Sequence, residues 1–187
     1  MKRRLFIAIL LPEEAKEKLI KIQKRFKKLN VRWTKRENLH FTLIFIGWID
    51  EEKVRIIENS IKNAIQSFSP FFLRLEKVVL GPDERRARMI WAIGKTPPEL
   101  QKLKEKVAVE LKRNNINFED SHSLKLHITL ARAKGKELRG IKIDENLDLV
   151  FPVKEVCLME SELKPEGAEY KKLFVANFHK YDHKSHE

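Results

Sequence analysis

Two short motifs in the chain place a threonine two residues after a histidine. Because side chains alternate between the two faces of a β-strand, this spacing puts an imidazole and a hydroxyl on one face and two apolar side chains on the other. Each motif therefore predicts a strand with one polar face and one buried face. The motifs are His40-Phe41-Thr42-Leu43 and His127-Ile128-Thr129-Leu130.

Two imidazoles that face one cleft can carry out acid–base chemistry at phosphorus. One takes a proton from an attacking water and the other protonates the leaving oxygen, and histidine titrates near neutral pH, where both roles are accessible. The hydroxyls of Thr42 and Thr129 can donate to phosphate oxygens. The guanidinium of Arg132 can hold the same oxygens, but strict alternation from His127 puts it on the opposite face. We therefore expect the strand to end or bulge near Ala131 if Arg132 joins the site.

A metal centre and a serine triad are the alternatives to this interpretation. His40 and His127 have no third ligand at a suitable spacing, so we predict no metal and no cofactor, although His183 and His186 near the C-terminus could bind a metal weakly. A triad would have to use residues 120–123, Asp-Ser-His-Ser, but the sequence lacks a nucleophile elbow. It also lacks the Gly-rich phosphate loops of nucleotide-binding folds.

The composition limits the class of protein. Cys157 is the only cysteine among 187 residues, which excludes an internal disulfide, and its apolar surroundings indicate a buried side chain. No segment approaches the ~20 apolar residues of a membrane span, and the apolar N-terminal run has no small-residue cleavage site. We therefore predict a cytoplasmic protein without a membrane partner, and we separately expect it to be a monomer. The net charge of +12 favours polyanionic partners.

Several basic and aromatic residues are candidates for contacts with RNA. The basic candidates flank a predicted loop and are Arg85, Arg86 and Arg88. The candidates for base stacking are Phe6, Phe45 and Trp33. Strict alternation nevertheless sends Phe45 to the core face, so a core role is the first expectation for it. The lysine-rich face of the first helix is typical of a solvated surface.

Hydrophobic periodicity and turn residues predict the secondary structure. Strands are expected over residues 5–10, 31–34, 39–46, 71–80, 88–93, 124–131, 153–161 and 170–179, with a loop over 135–146. Helices are expected over residues 12–30, from Asp50 to Phe68, and from a Thr96 cap with Pro97 at the first helical position to Asn114. Strands and helices mixed with hairpins favour an α+β fold with antiparallel sheets. The two halves of the sequence have the same order of elements, since each has a helix followed by a His-apolar-Thr-Leu strand.

With both motif blocks in this order, the sequence resembles the RNA 2′,3′-cyclic phosphodiesterases, also named 2′-5′ RNA ligases, of the two-histidine phosphoesterase superfamily. The resemblance covers nearly the whole chain. One position departs from it, because Leu126 stands where family members often have proline before the second histidine. The matching segments are residues 4–9, 31–33, 37–47, 88–91, 127–132 and 160–163, with Gly167 and Tyr170.

The resemblance implies a bilobal fold in which two antiparallel sheets, backed by helices, flank a central cleft. Residues 1–180 would form this single domain, and 181–187 a polar tail. It further implies metal-independent opening of RNA 2′,3′-cyclic phosphate ends to 2′-phosphate ends, with reversible 2′-5′ joining of RNA ends such as tRNA halves. His40 would act as proton donor and His127 as proton acceptor, while symmetry leaves the reverse assignment open. Thr42, Thr129 and Arg132 would hold the phosphate.

Two rival functions remain open at this stage. A catalytically idle RNA-binding module would keep the basic charge but has no need for two histidines on one face. A phosphodiesterase acting on a small cyclic nucleotide phosphate would use the same two histidines without an RNA surface. A bell-shaped pH–rate profile would exclude the first rival, and comparing rates on a mononucleotide and an RNA end would test the second.

Overall fold

The computed structural model describes residues 1–119, 124–165 and 167–179. The strands are β1 (Lys2–Leu10), β2 (Arg32–Trp33), β3 (His40–Asp50), β4 (Phe71–Gly81), β5 (Met89–Ile93), β6 (His127–Arg132), β7 (Asp144–Val153), β8 (Glu155–Lys164) and β9 (Gly167–Asn177). The helices are α1 (Glu13–Arg25), α2 (Val54–Ile65) and α3 (Pro98–Arg113). The triad segment 120–123 and the tail 181–187 lie outside the described residues.

The strands form two antiparallel sheets, as the resemblance implied. The first sheet has the order β3-β1-β8-β9, and the second has the order β2-β6-β5-β4-β7. Every neighbouring pair is antiparallel. Strand for strand, β3-β1-β8-β9 corresponds to β6-β5-β4-β7, so the two motif strands occupy equivalent places. The short strand β2 adds one edge beside β6.

The apolar face of each motif strand is buried, as alternation predicts. Phe41, Leu43, Ile128 and Leu130 are all at most 3% exposed. They belong to one core with the inner faces of the three helices. This burial fixes which way each strand faces and leaves the histidines and threonines on the opposite side. None of the described helices has the length and apolar character needed to cross a bilayer.

Helix α1 and strand β3 do not end where the sequence predicts. Helix α1 ends at Arg25 and not at residue 30. The helical spacing of apolar residues continues beyond Arg25 because the turns after the helix still pack Phe26 and Leu29 against the core. Strand β3 does not end before Gly47 but passes through it to Asp50. Gly47 has φ +86°, a conformation that glycine adopts freely, so it bends the strand without ending it.

Helices α2 and α3 also begin later than predicted. Asp50 precedes a 3₁₀ turn and makes no capping bond, so α2 starts at Val54 and ends at Ile65. Pro97 is the cap residue of α3 and not its first helical residue. Thr96 does not cap α3, because its hydroxyl donates to the Leu124 carbonyl and accepts from the Leu126 N–H.

Strand β7 was missed by the sequence prediction, which expected a loop up to residue 146. Its charged residues and Pro152 obscure the alternation. Proline is tolerated there because β7 is the outer strand of its sheet. The strand predicted from residue 124 also starts later than expected, at His127.

Candidate active site

A cavity of about 630 Å³ lies where the polar faces of the two sheets meet. The five residues that the sequence singled out for phosphate chemistry all line it, and they are His40, Thr42, His127, Thr129 and Arg132. The structure therefore brings two motifs that lie nearly half the chain apart into one space. The stacking candidates Phe6, Trp33 and Phe45 line the same cavity.

His40 is held at both ring nitrogens. Nδ1 lies 2.7 Å from the Asn38 carbonyl oxygen, and Nε2 lies 3.0 Å from Thr42 Oγ1. A carbonyl only accepts, so Nδ1 carries a proton, and in the neutral ring Nε2 is left to accept from the Thr42 hydroxyl. Phe6 and Tyr170 pack against the imidazole with ring centroids at 5.0 and 5.1 Å. The ring is thus fixed with Nε2 available for proton transfer.

His127 is positioned in the same way on the other sheet. Its Nδ1 donates to the Lys125 carbonyl at 2.9 Å, again two residues earlier in the chain. The Trp91 indole braces the ring at a centroid distance of 4.3 Å. Trp91 itself lies directly over Gly81, where an added Cβ would stand 2.4 Å from a ring atom. Gly81 is therefore needed so that the indole can reach His127.

Both histidines are biased toward the neutral form. Burial is the largest cause and lowers the pKa of His40. The hydrogen bond to the Asn38 carbonyl raises this pKa, and the positive charges of Arg132 and His127 lower it. Burial likewise lowers the pKa of His127, as does the charge of Arg132, while the Lys125 carbonyl raises it. A protonated histidine in this setting is a stronger acid than in water, and a neutral one is available as a base.

A β-bulge brings Arg132 into the cavity, as the sequence required if Arg132 was to join the site. The register between β6 and β5 shifts after Thr129, so Leu130 is an extra residue. Leu130 and Ala131 are consequently both buried, and Arg132 returns to the cavity face.

The bulge is anchored by Gln23, a buried residue of α1. Its Nε2 donates to the Leu130 carbonyl at 3.0 Å and to the Thr34 carbonyl at 2.9 Å. The Thr34 N–H also donates to the Leu130 carbonyl. Sequence reasoning overlooked Gln23, although a glutamine at a position that helical periodicity turns toward the core was a signal for a buried hydrogen-bond partner.

A matching bulge in β3 corrects the expectation for Phe45. The register between β3 and β1 skips Leu43, so alternation reverses and Phe45 lies on the cavity face, not in the main core. Its ring stacks with Phe6 at 6.4 Å and lies under the Arg4 guanidinium at 4.7 Å. Strict alternation failed here for the same reason that it failed for Arg132.

The rim of the cavity is strongly basic. The described lining includes five basic residues, Arg4, Arg32, Lys35, Arg132 and Lys164, against one acidic residue, Glu169. Arg32 and Arg132 are direct cross-strand partners, an arrangement that repels itself unless an anion lies nearby. The other basic candidates, Arg85, Arg86 and Arg88, are on the loop between β4 and β5 and do not line the cavity.

The sequence is similar to those of known phosphoesterases. Residues 9–91 match the family model described as LigT like Phosphoesterase. The RNA 2′,3′-cyclic phosphodiesterase of Archaeoglobus fulgidus is 32% identical over 92% of this chain and 98% of its own. The protein of the same name from Methanocaldococcus jannaschii is 31% identical over 89% of this chain and 96% of its own.

Solved structures show the same fold. The crystal structure of the Thermus thermophilus protein TT0787 has a TM-score of 0.85 at 26% identity and covers 94% of this chain and 97% of its own. Escherichia coli LigT in its apo form has a TM-score of 0.78 at 26% identity, covering 96% and 99%. The chain belongs to the LigT-like phosphoesterase family.

Hydrogen bonds hold the backbone at Leu126, the residue before the second motif histidine. The resemblance leads one to expect a proline at this position. Leu126 is buried, and its N–H donates to Thr96 Oγ1 at 3.1 Å. Its carbonyl accepts from the Gly94 N–H. A proline would lack the first of these bonds. Two hydrogen bonds thus fix the backbone conformation just before β6, whereas a proline would restrict that conformation through its ring.

Proposed function

We propose that this protein hydrolyses the 2′,3′-cyclic phosphate at RNA ends and leaves a 2′-phosphate. The observation that carries the proposal is the pair of histidines. Each one has its Nδ1 bound to a backbone carbonyl two residues earlier, and both line the same basic cavity. The names of the relatives, RNA 2′,3′-cyclic phosphodiesterases at about 30% identity, support the same chemistry.

The reaction is a displacement at phosphorus by water. His127 removes a proton from the water as its oxygen attacks, and His40, in its protonated form, gives a proton to the 3′ oxygen as the P–O3′ bond breaks. The 2′ ester bond stays intact. The cycle closes when the proton on His127 is exchanged with solvent for one on His40. The depressed pKa of His40 makes it a strong proton donor, and the same effect keeps His127 neutral and ready to accept.

Three residues are assigned to the phosphate. The hydroxyls of Thr42 and Thr129 stand beside the histidines on the same strand faces. Arg132 adds a fixed positive charge against the charge that builds up on the phosphate oxygens. Because Arg32 and Arg132 face each other without a carboxylate partner among the described residues, an anionic substrate would relieve their repulsion.

RNA ends, tRNA halves among them, are the substrates that we assign to this site. The basic rim and the aromatic side chains Phe6, Phe45 and Trp33 support a nucleotide polymer over a small cyclic phosphate. The same arrangement run in reverse, with a ribose hydroxyl in place of water, would join two RNA ends through a 2′-5′ bond. Hydrolysis dominates unless RNA positions that hydroxyl, since water is far more abundant.

A phosphatase-coupled assay tests the proposal. A cyclic phosphodiester end resists a phosphomonoesterase, whereas the opened end releases phosphate to it. We expect an RNA oligonucleotide with a 2′,3′-cyclic end to become phosphatase-sensitive when it is incubated with the protein, and to do so undiminished in excess EDTA. If the end stays resistant, the proposed hydrolysis is wrong; if turnover is lost in EDTA and restored by zinc, a metal-dependent mechanism replaces the two-histidine one.

A further inference from the structure

Trp48 has no role in the chemistry described above, yet it stands out on the surface. It is 63% exposed, whereas tryptophan side chains are usually well covered. It lies near the end of β3, the outer strand of the first sheet, beyond the part of the strand that carries His40 and Thr42. An exposed tryptophan close to a polyanion-binding cavity is a candidate surface for a nucleobase.

The backbone turns Trp48 toward the cavity side of the sheet. A second irregularity in β3 skips Ile46, and Gly47 there has φ +86°. After it, Trp48 becomes the cross-strand partner of Arg4. Cross-strand partners project from the same face of a sheet. Since Arg4 lines the cavity, the Trp48 side chain lies on the cavity face as well.

A row of rings and one cation begins at His40 and ends at Arg4, the cross-strand partner of Trp48. The His40 and Phe6 rings are 5.0 Å apart, and Phe6 and Phe45 are 6.4 Å apart. The Arg4 guanidinium lies 4.7 Å from the Phe45 ring centre and donates to Ser161 Oγ at 3.1 Å, which holds it in place. Arg4 therefore contacts the Phe45 ring and is the cross-strand partner of Trp48, which lies on the edge strand of the sheet.

We propose that Arg4 and Trp48 bind the nucleotide immediately 5′ of the cyclic-phosphate nucleotide. The proposal rests on the hydrolysis of RNA ends proposed above. Trp48 offers an indole face to the base, and Arg4 offers its guanidinium to the phosphate that links the two nucleotides. Three strand residues from Phe45 to Trp48 span about 10 Å at most, on the order of one extended nucleotide.

The row is suited to one added nucleotide and not to a long strand. Beyond Trp48 the next cavity-face pair is Lys2 and Asp50, which are cross-strand partners of opposite charge. The excess of positive charge therefore ends at Arg4. The loop bearing Arg85 and Arg86 offers a rival path, but it presents guanidinium groups without an exposed aromatic side chain. Base stacking favours the path along the first sheet.

Steady-state kinetics on two substrates test the proposal. The substrates are adenosine 2′,3′-cyclic phosphate and the dinucleotide ApA with a 2′,3′-cyclic end. We expect the wild-type protein to have a higher kcat/KM for the dinucleotide, and a third nucleotide to add little. Trp48→Ala should lower the ratio of the two kcat/KM values by about tenfold, the magnitude of one base–aromatic stack. Trp48→Phe should keep most of the ratio.

Two further variants give the comparison its control. Phe72 is another exposed aromatic residue, 66% accessible, on the second sheet, and Phe72→Ala should leave the ratio unchanged. Because the ratio is taken within one variant, a general loss of active protein cancels. The proposal is overturned if Trp48→Ala keeps the wild-type ratio, or if Arg85→Ala with Arg86→Ala lowers it instead. Failure of the wild-type protein to turn over either substrate would reject the underlying hydrolysis, a result distinct from an unchanged ratio.

Discussion

Phe45 and Arg132 occupy equivalent positions in the two halves of the molecule, each five residues after its motif histidine and each returned to the cavity face by a bulge at the motif leucine. The backbone is thus repeated, but the side chains are not. One half presents an aromatic ring and the other a guanidinium. This difference gives the symmetric pair of histidines an asymmetric surrounding, with an aromatic side that we propose for the nucleobase and a cationic side that we propose for the phosphate.

The two histidines should be individually indispensable. Replacing either His40 or His127 with alanine removes one proton-transfer step, which is worth about 10²–10⁴ in rate. We expect kcat/KM on a cyclic RNA end to fall by that factor in each variant. His179→Ala is the matched control, since His179 is exposed and is not part of the cavity lining. Near-normal rates in both single variants would refute the mechanism.

The pH dependence should be displaced toward acid. The acid-side limb of kcat/KM reports protonation of the base, and the alkaline limb reports loss of the proton from the acid. Burial lowers the pKa of both His40 and His127 below the usual 6.5. The alkaline midpoint of kcat/KM should therefore lie below pH 6.5, and that of kcat should lie higher because bound phosphate favours the protonated imidazole. An alkaline midpoint of kcat/KM above 6.5 would contradict this picture.

Arg132 should influence both the rate and these midpoints. Burial is the largest cause of the lowered pKa of each histidine, and the charge of Arg132 adds to it in both cases. Arg132→Gln removes that charge, so both limbs should move to higher pH while kcat/KM falls by about 10²-fold. Arg132→Lys keeps the charge but loses the planar fork, and should lose rate without moving the limbs. Identical midpoints in the Gln variant and the wild type would show that Arg132 lies too far away to act.

Gln23 should couple the stability of the fold to the activity of the site. Gln23→Leu removes the side-chain donor from the part-buried Thr34 carbonyl and leaves the buried Leu130 carbonyl with the Thr34 N–H alone, which costs about 1–3 kcal/mol. We expect urea denaturation to show that loss and kcat/KM to fall because the bulge that positions Arg132 loosens. Gln66→Leu, at an exposed position, is the control. Equal stability of the two variants would mean that the bulge does not depend on Gln23.

Sequence reasoning predicted which motif residues line the cavity better than it predicted the boundaries of the helices and strands. The alternation of His40 and Thr42 against their buried neighbours follows from strand geometry alone, and the same holds in the second motif. The α+β fold with antiparallel sheets was also predicted from the pattern of strands and helices, while their number, two, came from the family resemblance. These features depend on local periodicity, which a sequence displays directly.

The bulges were harder to predict because they depend on the partner strand. Nothing in the residues around Leu43 shows that one of them will lack a partner in β1, and Phe45 was consequently expected in the core. At Leu130 the bulge was anticipated only because Arg132 needed it. Strand β7 was missed for a similar reason, since Pro152 is compatible with a strand only at the edge of a sheet. Tertiary pairing decided all three cases.

The central claim is that the two-histidine cavity opens a 2′,3′-cyclic phosphate by expelling the 3′ oxygen. Phosphorus NMR of the product from an RNA oligonucleotide with such an end tests it most directly, because cyclic, 2′- and 3′-phosphates have different signals. We predict that the cyclic signal is replaced by that of a 2′-phosphomonoester with the wild-type protein and persists with His40→Ala or His127→Ala. A 3′-phosphate product, or a cyclic signal that the wild-type protein leaves unchanged, would contradict the claim.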